Sequence, residues 1–173
     1  VPTPAGGQGE GLLTLALVAE ELAKSCPSTS MCFGMHCVAS AVIAAKATPH
    51  HERHYLAPIA RGEHVTSLAL SEPGTGIHFY VPTTAFAAAD GHYLLNGRKS
   101  FVTNGAEADS YVVSAVAEGS SHDPGTFSCF VLDRHADGVC WGGAWDGLGM
   151  RGNSSRGAVL AAARVPADNL LGR

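Results

Sequence analysis

Two short stretches gather residue types that could grip a ligand: Leu70-Ser71-Glu72-Pro73-Gly74-Thr75-Gly76 and, about thirty residues on, Asn96-Gly97-Arg98-Lys99-Ser100-Phe101-Val102-Thr103-Asn104-Gly105. Each carries an apolar strand-like run into a glycine-rich turn that offers a hydroxyl and bare backbone amides. That chemistry suits a flat, polar-edged, anionic cofactor such as a flavin. In the first stretch Pro73 fixes the chain direction, and Gly74 and Gly76 let the backbone approach a ligand without a Cβ in the way. In the second, alternation across Val102 predicts that Phe101 and Thr103 share one strand face, where the ring can stack on a heterocycle while the hydroxyl bonds its edge. Taken singly, either stretch also reads as an ordinary turn beside a core aromatic.

Other constellations carry less. His50, His51 and His54 contain the i, i+4 spacing of a metal site, but no carboxylate or thiolate falls in register with them, so they read as an exposed polar helix face. Glu72 and Asp109 are the carboxylates beside the two stretches, and neither has a visible acid–base partner. Neither is assigned as catalytic. The run Gly7-Gln8-Gly9-Glu10-Gly11 precedes a helix but lacks the strand before it and the acidic residue after it that a dinucleotide-binding turn requires.

The elements that must position these residues change character at Gly62. Over residues 10–26, Leu12, Leu13, Leu15, Ala16, Ala19, Leu22 and Ala23 recur at helical spacing, and Pro27 ends the run. Ser28, Thr29 and Ser30 offer hydroxyls to cap a second helix over 31–47, which is so apolar all round that it must be buried or packed on a cofactor or partner. A short third helix is predicted over 50–60, closed by Gly62. Beyond it the period drops from about 3.6 to 2, and strands are predicted at 65–70, 83–89, 93–95, 99–103, 110–117, 126–132, 139–144 and 158–165. Asp90-Gly91 and Asn96-Gly97 read as turns of an antiparallel meander. The fold class is therefore α+β: part of a helical domain over 1–62, then an antiparallel β-barrel or sandwich over 63–173.

Composition narrows the function classes. With 173 residues, 46% hydrophobic and 15% charged, the chain can bury a core, and a net charge of −4 without a basic stripe argues against nucleic acid as a partner. Five cysteines with no Cys-x-x-Cys pair point to a reducing, cytoplasmic setting rather than a disulfide framework. The longest weakly polar run, 37–47, falls short of the roughly 20 residues that cross a bilayer, so no membrane span is expected. Both ends look abrupt, as in a piece of a larger polypeptide.

In order and spacing, five stretches resemble the acyl-CoA dehydrogenase family of flavoproteins. They are Val1-Pro2 with Gly6-Gly7-Gln8-Gly9 and Glu20-Glu21-Leu22-Ala23; Leu68-Ala69 running into the first stretch above; the second stretch with Ala106; Gly147-Leu148-Gly149-Met150-Arg151-Gly152-Asn153-Ser154-Ser155; and Arg164-Val165-Pro166-Ala167-Asp168-Asn169-Leu170-Leu171-Gly172. The resemblance implies the end of a helical N-terminal domain and a middle β-barrel, with FAD lying between that barrel and a C-terminal helical bundle that these residues do not include. It also implies that backbone groups of Leu68 and Leu70 and the Ser71 hydroxyl bond the flavin's pyrimidine edge. Phe101, where the family usually has tryptophan, covers one flavin face beside Val102, and Thr103 bonds near the reactive ring nitrogen. Gly76 and Ile77 fall where the family contacts the flavin diphosphate.

One departure bears on the substrate. The family usually has Ser-Asp where this chain has Ile77-His78, and Ile77 has no side-chain donor for the diphosphate or for the pantetheine of an acyl-CoA. The cofactor assignment survives this better than the thioester assignment. The family's catalytic base is a glutamate in the bundle, so it is expected outside this chain. The resemblance thus implies α,β-dehydrogenation of an acyl-CoA thioester, an electron-transfer flavoprotein as electron acceptor, and a homo- or hetero-oligomer. The alternatives are a flavin-dependent monooxygenase or oxidase of the same superfamily, and a non-catalytic subunit of a heteromeric complex.

Overall fold

The structure is a computed structural model that describes residues 1–76, 78–120 and 125–172. Its helical layer contains α1 (Leu12–Ser25) and α2 (Pro27–Ala45), then α3 (Pro49–His51), a π-helical turn (Glu52–Leu56) and α4 (Ala57–Ala60) running on as one irregular helix that ends at Gly62, φ +73°. Pro27 does more than end α1. It sits at the first position of α2, where a missing N–H removes no hydrogen bond. The predicted hydroxyl cap is therefore displaced into the first turn, where Ser30 Oγ donates to the Ala19 carbonyl at 2.7 Å and fastens α2 to α1.

Within α2 only Ala39, Ser40 and Ile43 are fully buried, so the expected all-round burial shrinks to one stripe facing the strands. By length and apolar content α2 matches a membrane-crossing helix, contrary to the expectation from the shorter 37–47 run. It is nonetheless wired into the fold by polar contacts: His36 Nδ1 accepts from the Thr66 N–H at 3.1 Å, and Ser28 Oγ accepts from the Gly152 N–H at 3.2 Å.

The strands are β1 (Thr66–Ala69), β2 (Ala85–Ala89), β3 (His92–Val102), β4 (Ser110–Ala117), β5 (Ser128–Asp133), β6 (Val139–Trp141), β7 (Arg156–Pro166) and β8 (Leu170–Leu171). They form a mostly antiparallel sheet in the order β6-β7-β3-β2-β4-β5-β8, with β1 added beside β4. The predicted closed barrel is not formed, since no pairing among the described residues joins β6 to β8. β1 pairs in parallel with β4 along Ser110–Val113, and β2 takes up a parallel pairing further along, at Val116 and Ala117.

Side-chain alternation on β4 and β5 feeds two cores. Tyr111, Val113, Ala115, Phe130 and Leu132 pack with Leu95, Leu160 and Val165 of β3 and β7, whereas Val112 and Val131 pack with Ile43, Leu56 and Ile59 of the helices. The molecule is thus layered, with the β4–β5 half between the helices and the β3–β7 half.

Asp90-Gly91 makes the predicted hairpin turn between β2 and β3, with Gly91 at φ +69°. Asn96-Gly97 does not turn. It lies inside β3 at a bulge, where the register on β7 slips between Leu95 and Gly97 and Asn96 Oδ1 accepts from the Ala162 N–H at 2.8 Å. Gly97 is needed there because a Cβ would collide with Thr84. The predicted strands at 93–95 and 99–103 are consequently one strand.

Candidate functional site

The two glycine-rich stretches meet. Ser100 N–H donates to the Ser71 carbonyl at 2.8 Å, which ties the end of β1 to β3. Below that bond Lys99 Nζ lies 2.7 Å from Glu72 Oε1, with both side chains almost wholly buried. Buried charges persist only when every lone pair and proton is satisfied, and here they are. The Lys99 ammonium also donates to the carbonyls of Leu70 (3.3 Å) and Ser114 (2.7 Å) and to Ser114 Oγ (3.2 Å). Glu72 also accepts from the amides of Thr83 (2.7 Å) and Thr84 (3.0 Å) and from the Thr83 hydroxyl. Burial pushes the Glu72 carboxyl up, but the bonds from Lys99, Thr83 and Thr84 outweigh it and hold the group down at about 2. Burial draws the Lys99 ammonium below its ordinary value, with Glu72 opposing.

The network does two things: it locks β1, β3 and β4 together beneath the turns, and it closes the neck of the loop 73–82. The sequence showed no partner for Glu72. The signal was the period-2 phase of β3, which sends Lys99 inward with Leu95.

At the outer end of β3 a second bulge rearranges the predicted face. Lys99 pairs with Ala158 and Val102 with Arg156, so Ser100 and Phe101 stand opposite Gly157 alone. The inserted residue breaks the alternation. Phe101 takes a left-handed φ of +57° and is 67% exposed, whereas Thr103 is 4% exposed, so the two do not share an open face. Val102 points into the core, which leaves its backbone as the part a ligand could meet.

Among the described residues, five of the six non-glycine residues at positive φ fall here or in the loop that closes on it: Phe101, Asn104, Ala106, Met150 and Ser154. Such backbone costs about 1–3 kcal/mol each and persists only where the surroundings hold it. The hold is visible. Asn104 N–H donates to the Asn153 carbonyl and Gly105 N–H to the Ser154 carbonyl, each at 2.9 Å, and Tyr111 Oη donates to the Asn104 carbonyl at 2.7 Å.

Above this frame an open cavity of about 280 Å³ is lined by Ser100, Phe101, Trp145, Asp146, Ser155 and Arg156. It suits one face and edge of a planar ring better than a whole dinucleotide, for which pockets of roughly 300–1,000 Å³ are usual. Leu68, Leu70 and Ser71 are half-buried and do not line this cavity; Leu68 packs against the helical core. The Leu70 carbonyl is engaged by Lys99 and the Ser71 carbonyl by Ser100, so ligand bonds there fall to amides and the Ser71 hydroxyl. Gly74 and Gly76 take φ of +89° and +54°, left-handed backbone that favours glycine, with open space where a Cβ would stand. Ile77 lies outside the described residues. The donors present therefore fit a flavin's polar edge and flat face.

Among the described residues no group of three His, Cys, Asp or Glu could hold an ion. His51 is fully buried rather than on an exposed polar face, and its Nδ1 accepts from the Thr48 N–H at 3.2 Å, while His50 bonds Asn169 and stacks on His54 at 4.5 Å.

The architecture is helices laid on a mostly antiparallel sheet, with two glycine-rich stretches tied together by the Ser100–Ser71 bond. Residues 1–63 match the N-terminal domain of acyl-CoA dehydrogenases and residues 67–162 their middle domain, and the chain belongs to that family. The short-chain-specific acyl-CoA dehydrogenase of Clostridium acetobutylicum is 30% identical over 97% of this chain and 44% of its own length. An acyl-CoA dehydrogenase of Bacillus anthracis solved in complex with FAD superposes with a TM-score of 0.87 at 32% identity, over 100% of this chain and 30% of that one. A chain from a structure of the electron transferring flavoprotein of Acidaminococcus fermentans superposes with a TM-score of 0.90 at 32% identity, over 99% of this chain and 45% of that one. The chain thus spans less than half the length of these relatives.

Proposed function

We propose that this chain forms one wall of an FAD site in an acyl-CoA dehydrogenase that carries out α,β-dehydrogenation of an acyl-CoA thioester. The observation that carries the reading is the joining of the two glycine-rich stretches by the Ser100–Ser71 bond and the buried Glu72–Lys99 pair, which presents Phe101 over an open cavity. When bound, FAD supplies the hydride acceptor.

In this reading the amides of Leu68 and Leu70 and the Ser71 hydroxyl hold the pyrimidine edge. Phe101 covers one face, Val102 contributes backbone, Thr103 donates near the reactive nitrogen, and Gly76 with Ile77 meets the diphosphate. Residues 1–62 act as the helical domain and 63–173 as the middle domain. The base that takes the substrate α-proton lies outside these residues, on a helical bundle of the same polypeptide or of a partner. The assembly is an oligomer in a reducing, cytoplasmic compartment, supported by five free thiols, and an electron-transferring flavoprotein receives the electrons.

The test is flavin content and acyl-CoA-dependent bleaching of the full-length protein under anaerobic conditions. Bound FAD that bleaches with acyl-CoA supports the reading, and a flavin-free protein sinks it. FAD that ignores acyl-CoA but consumes oxygen once reduced would instead favour an oxidase or monooxygenase, the reading motivated by Ile77-His78.

A further inference from the structure

Phe101 combines two unfavourable states, a left-handed backbone on a bulky residue and a ring that is 67% exposed. A ring so placed needs something to fix its direction, and Trp145 is in position to do it. The two rings meet edge to face, with centroids 5.8 Å apart and planes at 85°.

The indole is itself clamped. Its Nε1–H donates to the Gly149 carbonyl at 2.7 Å, Arg151 Nε donates to the Gly147 carbonyl at 2.8 Å, and a Cβ on Gly147 would collide with the indole. The turn 145–151 is therefore a bracket built around one side chain. We propose that Trp145 is a positioning residue that acts through Phe101, holding its ring side-on so that the ring face stays flat against the planar ring of the cofactor. This rests on the FAD reading above.

The test uses the full-length protein with FAD as the probe, and reads the dissociation constant and the fluorescence of the bound flavin. Trp145→Leu should weaken FAD by about 3- to 10-fold, the range expected for one aromatic pair, and raise the bound-flavin fluorescence. Trp145→Phe, which keeps an aromatic edge, should recover most of both. In a Phe101→Leu background Trp145→Leu should have no further effect, because the group it acts through is gone.

Unchanged affinity and fluorescence in Trp145→Leu overturn the proposal, as do fully additive losses in the double variant. Should Trp145→Leu fail to fold, Gly147→Ala displaces the indole without removing it and must produce the same weakening; unchanged FAD binding there overturns the proposal equally. A wild-type protein that binds no FAD defeats the proposed function itself, whereas one that binds FAD with an indifferent Trp145 defeats only this inference.

Discussion

Strand β4 and helix α1 are both predominantly apolar in sequence and end in opposite environments. β4 is buried from Ser110 to Val116, whereas α1 has no buried residue, and its Leu12, Leu13 and Leu17 are 81%, 74% and 55% exposed. The difference is in neighbours. β4 has β5 along one edge and β1 and β2 on its other pairings, and its alternating faces enter two cores, while α1 is fastened mainly to α2. Apolar sequence therefore supplies the material for burial, and long-range pairing decides who is buried. The candidate cofactor wall is built on the well-paired side of this divide.

The sharpest way to break that contrast is at its charged centre. Lys99→Met leaves the Glu72 carboxylate buried without its cation and should lower stability by about 3–5 kcal/mol in a denaturant titration. A loss of less than about 1 kcal/mol would mean that the sheet half is not where stability resides.

Acidification probes the helical layer and its attachment to β1. His36 and His51 each accept a backbone N–H on Nδ1, so both must be neutral in the folded chain, and burial, the largest cause, lowers each below its ordinary 6.5. The unfolded chain takes up those protons first. Stability should accordingly be complete above about pH 6.5 and fall as pH drops below it, with a slope approaching about 1.4 kcal/mol per pH unit for each histidine. His36→Gln should flatten the curve, and an equally steep curve in that variant would remove His36 from the account.

A smaller effect is expected where the sheet supports the strained turn. Tyr111→Phe deletes the bond to the Asn104 carbonyl and should cost about 1 kcal/mol, read as a shift in the thermal midpoint. At the other extreme, Leu12→Ser on α1 should change stability by no more than about 0.5 kcal/mol in these 173 residues. A larger loss would show that Leu12 is covered rather than exposed.

The parts legible in sequence are those governed by local rules. Residues 110–117 were predicted as a strand and are β4, the Asp90-Gly91 turn joins β2 to β3, and the spacing of Leu12, Leu15, Ala19 and Leu22 gave α1. Three features escaped because their causes are non-local. The parallel pairing of Thr66 with Ser110 leaves no turn signal between them. The bulge on β7 opposite Asn96 and the bulge on β3 at Ser100-Phe101 arise from the register between those two strands, and the second undoes the shared face expected of Phe101 and Thr103. Glu72 looked partnerless because its cation belongs to the other stretch. Of the site, the sequence located the two stretches, and the fold supplied the bonds between them.

Glu72 has a consequence for the loop whose two ends it joins. Because its carboxylate holds Thr83 and Thr84 while its own strand is anchored to β4, the loop 73–82 leaves and rejoins the sheet through one fixed gate. Substitutions at the described positions of that loop should therefore leave the register of the strands unchanged.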